Sequence, residues 1–71
     1  MKRVLSDMPG VVQQVLVAPD EQILRDQDIV MVESMKMLLP VPSTVNGTVR
    51  AILVRQGDVI EKGTALIEVE E

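Results

Sequence analysis

Gly10-Val11-Val12-Gln13-Gln14-Val15-Leu16-Val17 and Gly47-Thr48-Val49-Arg50-Ala51-Ile52-Leu53-Val54 are two versions of one stretch, 37 residues apart. Carried on without gaps, the same offset sets residues 10–34 over residues 47–71. Seven of the 25 pairs are identical: Gly10 with Gly47, Val12 with Val49, Leu16 with Leu53, Val17 with Val54, Ile23 with Ile60, Val32 with Val69, and Glu33 with Glu70. Val15 with Ile52, Arg25 with Lys62, Ile29 with Leu66 and Val30 with Ile67 are conservative pairs. Chance between two Val-rich stretches does not explain why the glycines and glutamates align as well as the aliphatics. Self-similarity at a fixed offset marks a repeated structural unit.

Each unit has the same grammar. A glycine opens a strand (Val11–Val17, Thr48–Val54), and a polar turn follows (Pro19-Asp20-Glu21, Gln56-Gly57-Asp58). A short apolar step (Ile23-Leu24, Val59-Ile60) and a second polar turn lead to a closing strand (Ile29–Glu33, Ala65–Glu70). Short strands punctuated by turn chemistry indicate a sandwich or barrel. Alternation is imperfect over Val49–Val54, which predicts a strand buried on much of both faces. Asp20 and Asp26 stand where the second unit has Gly57 and Gly63. Asp is among the few residues besides Gly that enter the left-handed region at tolerable cost, so the two pairs of turns are compatible with one geometry; the alternative is that the first-half turns have another.

Composition sets the bounds. The chain is read as one domain, residues 1–71, with a small core and marginal stability. It has no cysteine and no aromatic residue, so neither a disulfide nor thiolate-bound metal stabilises it. Thirteen valines and five isoleucines supply the core instead, and β-branched side chains favour strands. The net charge of −4 argues against a nucleic-acid partner, which calls for clustered Lys and Arg. No apolar run approaches the roughly 20 residues of a membrane span. Val4-Leu5 is too short for a signal-peptide core. These features, with the absence of cysteine, lead to the expectation of a cytoplasmic protein with no membrane partner.

Between the units lies Glu33-Ser34-Met35-Lys36-Met37-Leu38-Leu39-Pro40. A lysine where one unit ends and the next begins is expected to cap the hairpin that joins them, with its amine held away from the body. Methionines rarely flank an exposed tip for packing reasons; the alternative is that Met35 and Met37 belong to the core and Lys36 is a solvated surface residue. Met35, Lys36 and Met37 are the candidate site, read either as a reactive lysine with thioether flanks for recognition or as a surface lysine between two core residues.

Glu33-Ser34-Met35-Lys36-Met37 resembles the attachment motif of biotinyl domains, usually Glu-Ala-Met-Lys-Met, with Ser34 in place of Ala. Met8-Pro9-Gly10-Val11-Val12 is similar to the family's opening strand, and Gly47-Thr48-Val49 to the strand after the motif. The run from Gln56 to Gly63 is similar to its second-half turn. The spacing from Lys36 to Glu71 is typical of carboxyl carrier proteins. The chain departs from the family at Leu38, where many members have Glu, at Thr44, where many have Pro, and at the missing first-half glycines. It has no insertion for the protruding thumb of some bacterial carriers. The resemblance covers residues 4–70 and is to biotin carboxyl carrier domains and short biotin/lipoyl attachment proteins.

What the resemblance implies is an all-β, flattened eight-stranded barrel-sandwich of two four-stranded antiparallel sheets, related by a quasi-twofold internal repeat. It implies covalent biotin on Lys36, added by a biotin protein ligase, and carboxylate carried between a biotin carboxylase and a carboxyltransferase. The domain itself would be a non-catalytic carrier. Lipoyl carriage shares the fold and the lysine, but lipoyl domains commonly have Asp-Lys-Ala at this point. An unmodified adaptor of the same fold is the other alternative. With no His or Cys the chain has no Ser-His or Cys-His pair, which argues against nucleophilic catalysis. Two thioethers without Cys or His make a poor copper site. The acidic residues Asp20, Glu21, Asp26 and Asp28 lack calcium-loop spacing and read as solvated turns.

Overall fold

The β-branched stretches fold into eight strands and no helix in the computed structural model, which describes residues 1–71. They are β1 (Lys2–Leu5), β2 (Gly10–Val15), β3 (Gln22–Ile23), β4 (Asp28–Ser34), β5 (Met37–Pro42), β6 (Gly47–Ile52), β7 (Val59–Ile60) and β8 (Ala65–Glu70). One sheet has the order β1-β8-β6-β3 and the other β5-β4-β2-β7. Every pairing is antiparallel. Exchanging each strand for its equivalent in the other half converts the first order into the second. Each sheet therefore takes two strands from each half, and neither half can form a sheet alone.

The core obeys the same exchange. Its fourteen buried aliphatic residues are seven equivalent pairs: Val4 with Val41, Val12 with Val49, Val17 with Val54, Ile23 with Ile60, Ile29 with Leu66, Val30 with Ile67, and Val32 with Val69. The first of these pairs lies outside residues 10–34 and 47–71, so the correspondence extends to β1 and β5. Buried Ser6 and Ser43 make it chemical as well as spatial. Ser6 Oγ donates to the Met8 carbonyl at 2.6 Å and accepts from the Met8 N–H at 3.3 Å. Ser43 does the same with Val45, at 2.6 and 3.2 Å. Neither buried hydroxyl is left unsatisfied.

The broken alternation over Val49–Val54 has a different cause from burial on both faces. Within β6 only Val49 is fully buried. The register against β8 shifts between Val49 and Ala51, so Arg50 is the extra residue of a β-bulge, which inverts the alternation. β2 has the same shift between Val12 and Gln14. The regular strands end at Val15 and Ile52, two residues before the expected limits, and buried Val17 and Val54 follow them.

The turns show what left-handed backbone requires. Asp20 and Asp26 have φ of 71° and 72°, and Gly57 and Gly63 have 94° and 92°. All fourteen backbone hydrogen bonds outside the regular ladders form seven equivalent pairs; Asp20 N–H to Val49 O at 2.7 Å, for example, matches Gly57 N–H to Val12 O at 2.8 Å. The four turns thus share one geometry, with Asp standing in for Gly. Gly10 and Gly47 are glycines for another reason. A Cβ there would meet the carbonyl of Glu33 or Glu70 and come within 2.6 Å of Cγ1 of Val32 or Val69. β5 is an edge strand, and Pro40 and Pro42 remove two of its N–H groups, which blunts it against pairing with another chain.

Candidate functional site

β4 and β5 run together from Asp28↔Pro42 to Ser34↔Met37, and the chain reverses in two residues, Met35 and Lys36. Their φ values are 52° and 65°, the double left-handed pattern of a type I′ turn. That turn suits the right-handed twist of the strands but is normally built from Asn-Gly. Left-handed backbone costs an ordinary side chain roughly 1–2 kcal/mol. Elsewhere in the chain only Asp and Gly adopt positive φ. A turn that retains Met and Lys at this cost is a candidate for selection on the side chains themselves.

The side chains point into solvent. Met35 is 93 % exposed and Met37 59 %, and Lys36 is exposed between them. The three ion pairs of the molecule involve Arg3 and Arg50, and none engages Lys36. A primary amine on a flexible four-carbon stem therefore stands free at the end of a rigid two-stranded base. Its chemistry suits one covalent acyl group. Below the turn, Gln13 donates from Nε2 to Glu33 Oε1 at 2.9 Å and fixes that carboxylate against β2.

The structure thus brings Met35, Lys36 and Met37 together at the tip, as the sequence predicts. Leu38 adds an exposed apolar side chain that sequence reasoning noted only as a departure, because its outward direction depends on register. The repeat explains why Lys36 has no counterpart. The equivalent turn would join β8 to β1, where the chain has its two termini. β5 leads away from the Lys36 turn, and residues 43–46 deliver the chain to Gly47, whose neighbour Thr48 pairs with Glu70. The tip and the termini therefore occupy opposite poles. An open cleft near the termini is lined by Gln22, Asn46, Arg50 and Glu70, away from the turn. There a hydrogen bond and the charge of Glu70, supported by Asp20, raise the Arg50 pKa above its ordinary value.

Residues 2–69 match the protein family described as "Biotin-requiring enzyme", the biotin/lipoyl family. The mitochondrial propionyl-CoA carboxylase alpha chain of Homo sapiens is 37 % identical over 65 residues, which are 92 % of this chain and 9 % of that one. The biotin/lipoyl attachment protein of Bacillus subtilis is 33 % identical over 61 residues, 86 % of this chain and 84 % of that one. Also 33 % identical over 61 residues is the dihydrolipoyllysine-residue acetyltransferase component of the pyruvate dehydrogenase complex of Pseudomonas aeruginosa, of which 11 % is covered. Among solved structures, the urea carboxylase of Kluyveromyces lactis superposes with a TM-score of 0.89 over 97 % of this chain and 6 % of that one, at 23 % identity. The chain spans about a tenth or less of the carboxylase and acetyltransferase chains, and most of the Bacillus protein.

Proposed function

The chain belongs to the biotin/lipoyl attachment family, and on that premise we propose that it is a biotin carboxyl carrier whose Lys36 holds the cofactor. The observation that carries this reading is the pair of exposed thioethers on either side of the lysine, with Met35 and Lys36 in left-handed backbone that Asn-Gly would favour. Carboxylases among the relatives support it; the acetyltransferase relative supports lipoyl carriage.

In this reading Lys36 Nζ, as the free amine, attacks the carboxyl carbon of an activated biotinyl adenylate. The adenylate leaves, one proton is released, and an amide remains. The side chain loses its charge, so the domain becomes one unit more negative than −4. When bound, biotin supplies a ureido nitrogen that takes up and gives up carboxylate. The domain contributes reach and presentation: the turn holds the stem outward, and the ladder between β4 and β5 keeps the turn from bending into the body. It performs no catalytic step, and its partners are a biotin protein ligase, a biotin carboxylase and a carboxyltransferase.

Incubation with ATP, biotin and a biotin protein ligase, followed by peptide mapping, tests this. Label is expected on Lys36 alone among Lys2, Lys36 and Lys62, and none on Lys36→Arg. Label on Lys2 or Lys62 defeats the assignment. Transfer of lipoyl but not biotinyl groups promotes lipoyl carriage instead. Met35→Asp with Met37→Ala is expected to weaken biotinylation and to admit lipoylation.

A further inference from the structure

The internal repeat provides a comparison that few proteins contain. Two outer sheet faces have the same backbone, the same bulges and equivalent cores beneath them, so differences between them are not required by the fold. On the outer face of the sheet that carries the Lys36 turn, a row of neighbours crosses all four strands: Leu38 on β5, Glu33 on β4, Val11 on β2 and Val59 on β7. Behind it lie Pro40 and Met31. The equivalent positions on the other sheet are Met1, just before β1, then Glu70, Thr48 and Gln22 in the row, with Arg3 and Glu68 behind. Val59 thus stands for Gln22, Val11 for Thr48, Pro40 for Arg3 and Met31 for Glu68; Leu38 and Met1 are both apolar, and Gln14 opposite Ala51 and Asp28 opposite Ala65 run the other way.

The consequence is a polar face and an apolar one. All three ion pairs, Arg3–Glu68, Arg50–Glu70 and Arg50–Asp20, belong to the first sheet. The second has none; of its two carboxylates, Asp28 and Glu33, the one beside the turn, Glu33, is held by a neutral amide. Val59 is 81 % exposed and Leu38 59 %. The Lys36 turn follows directly on Glu33 and Leu38 of this face, so the lysine stands at its edge, whereas Met37, one residue before Leu38, points to the opposite side of the hairpin.

We infer that this face is the seat of the enzyme that acylates Lys36, which covers it with an apolar surface of its own. The inference rests on the carrier reading given above. Two arguments select this occupant. First, the acylating enzyme must reach a bare amine on a four-carbon stem, so it presses against the turn and what adjoins it. Enzymes acting on the loaded cofactor work at the end of a longer arm and need not cover the body. Second, the patch is on the order of a few hundred Å², the size of a functional patch on a monomer. A stable pair of this chain would bury roughly 800 Å² on each partner, more than the patch supplies.

The repeat also supplies the test, because the polar half shows which residues this backbone accepts. Val59→Gln with Val11→Thr writes the other face onto this one. Gln22→Val with Thr48→Val is the reciprocal control. Steady-state biotinylation by a purified ligase, with ATP and biotin saturating, is expected to show KM for the Val59→Gln/Val11→Thr chain raised about tenfold or more. kcat and the urea midpoint are expected to stay at native values, and the control is expected to match the native chain. An unchanged KM overturns the inference while leaving Lys36 as the attachment site. So does a loss confined to kcat, which points to a disturbed turn. If the native chain sediments as a dimer that the substitutions split, the face belongs to a second copy and the inference fails. No labelling of the native chain overturns the carrier reading and this inference together.

Discussion

The turns of the first half and those of the second are one backbone realised with different residues, whereas the opening strands of both halves retain the same glycine. Gly57 and Gly63 correspond to Asp20 and Asp26, and all four residues are left-handed. A Cβ at Gly57 or Gly63 would meet nothing within 4 Å, so only the backbone conformation resists substitution, and Asp bears that cost. A Cβ at Gly10 or Gly47 would run into the carbonyl of the adjacent strand. A glycine held by conformation alone is replaceable; one held by lack of space is not.

The strongest challenge to that distinction is Gly10→Ala beside Gly47→Ala. Each is expected to lose about 3 kcal/mol, at or above the upper end of ordinary overpacking, because the obstacle is backbone and cannot swing aside. Urea melts of the two variants should shift by similar amounts. A native-like midpoint for either would mean that the strands separate more easily than their register implies.

Next come the buried hydroxyls. Ser6→Ala and Ser43→Ala each remove the acceptor of one N–H and the donor to one carbonyl. A loss of about 1–3 kcal/mol is expected from each. Amide hydrogen exchange at Met8 and Val45 should accelerate in the matching variant only, and acceleration at both would reveal coupling between the halves.

The Lys36 turn departs from the other turns, for it is left-handed twice with neither Gly nor Asp. Met35→Asn with Lys36→Gly installs the favoured pair, and a gain of about 1–2 kcal/mol is expected, with attachment abolished. Lys36→Ala keeps a side chain at positive φ and is expected to change stability by less than about 0.5 kcal/mol. Thermal unfolding of the two variants separates backbone strain from any structural use of the lysine.

The smallest effects fall on the Asp turns. Asp26→Gly is expected to gain up to about 1 kcal/mol, part of it lost to the greater freedom of the unfolded chain. Asp20→Gly should gain less, because Asp20 Oδ1 also accepts from Arg50 at 3.1 Å in an exposed ion pair. Equal gains would show that this pair contributes nothing.

The sequence makes the duplication, the hairpin tip and the equivalence of Asp and Gly turns legible because each rests on residues close in the chain or at one fixed offset. It does not reveal that β1 and β5 join the repeat. Only Val4/Val41 and Ser6/Ser43 are identical there, and the hydroxyl bonds that matter run two residues forward, without a compositional signature. The bulge at Arg50 is invisible for the opposite reason: it is a relation between β6 and β8, and within β6 it shows only as imperfect alternation. The left-handed pair at Met35 and Lys36 is hidden because neither residue type favours such backbone. The division between polar and apolar faces requires knowing which side chains share a side, and that follows from register.

The placement of tip and termini at opposite poles has a mechanical consequence. A flexible leash fixed to either terminus would hold the domain from behind, with the lysine facing outward. The body then acts as a rigid spacer in series with the leash. Lengthening the leash enlarges the volume searched and dilutes the lysine within it. The stiff spacer extends reach with no such dilution. A leash attached beside the turn would lose that advantage and crowd the surface to be docked.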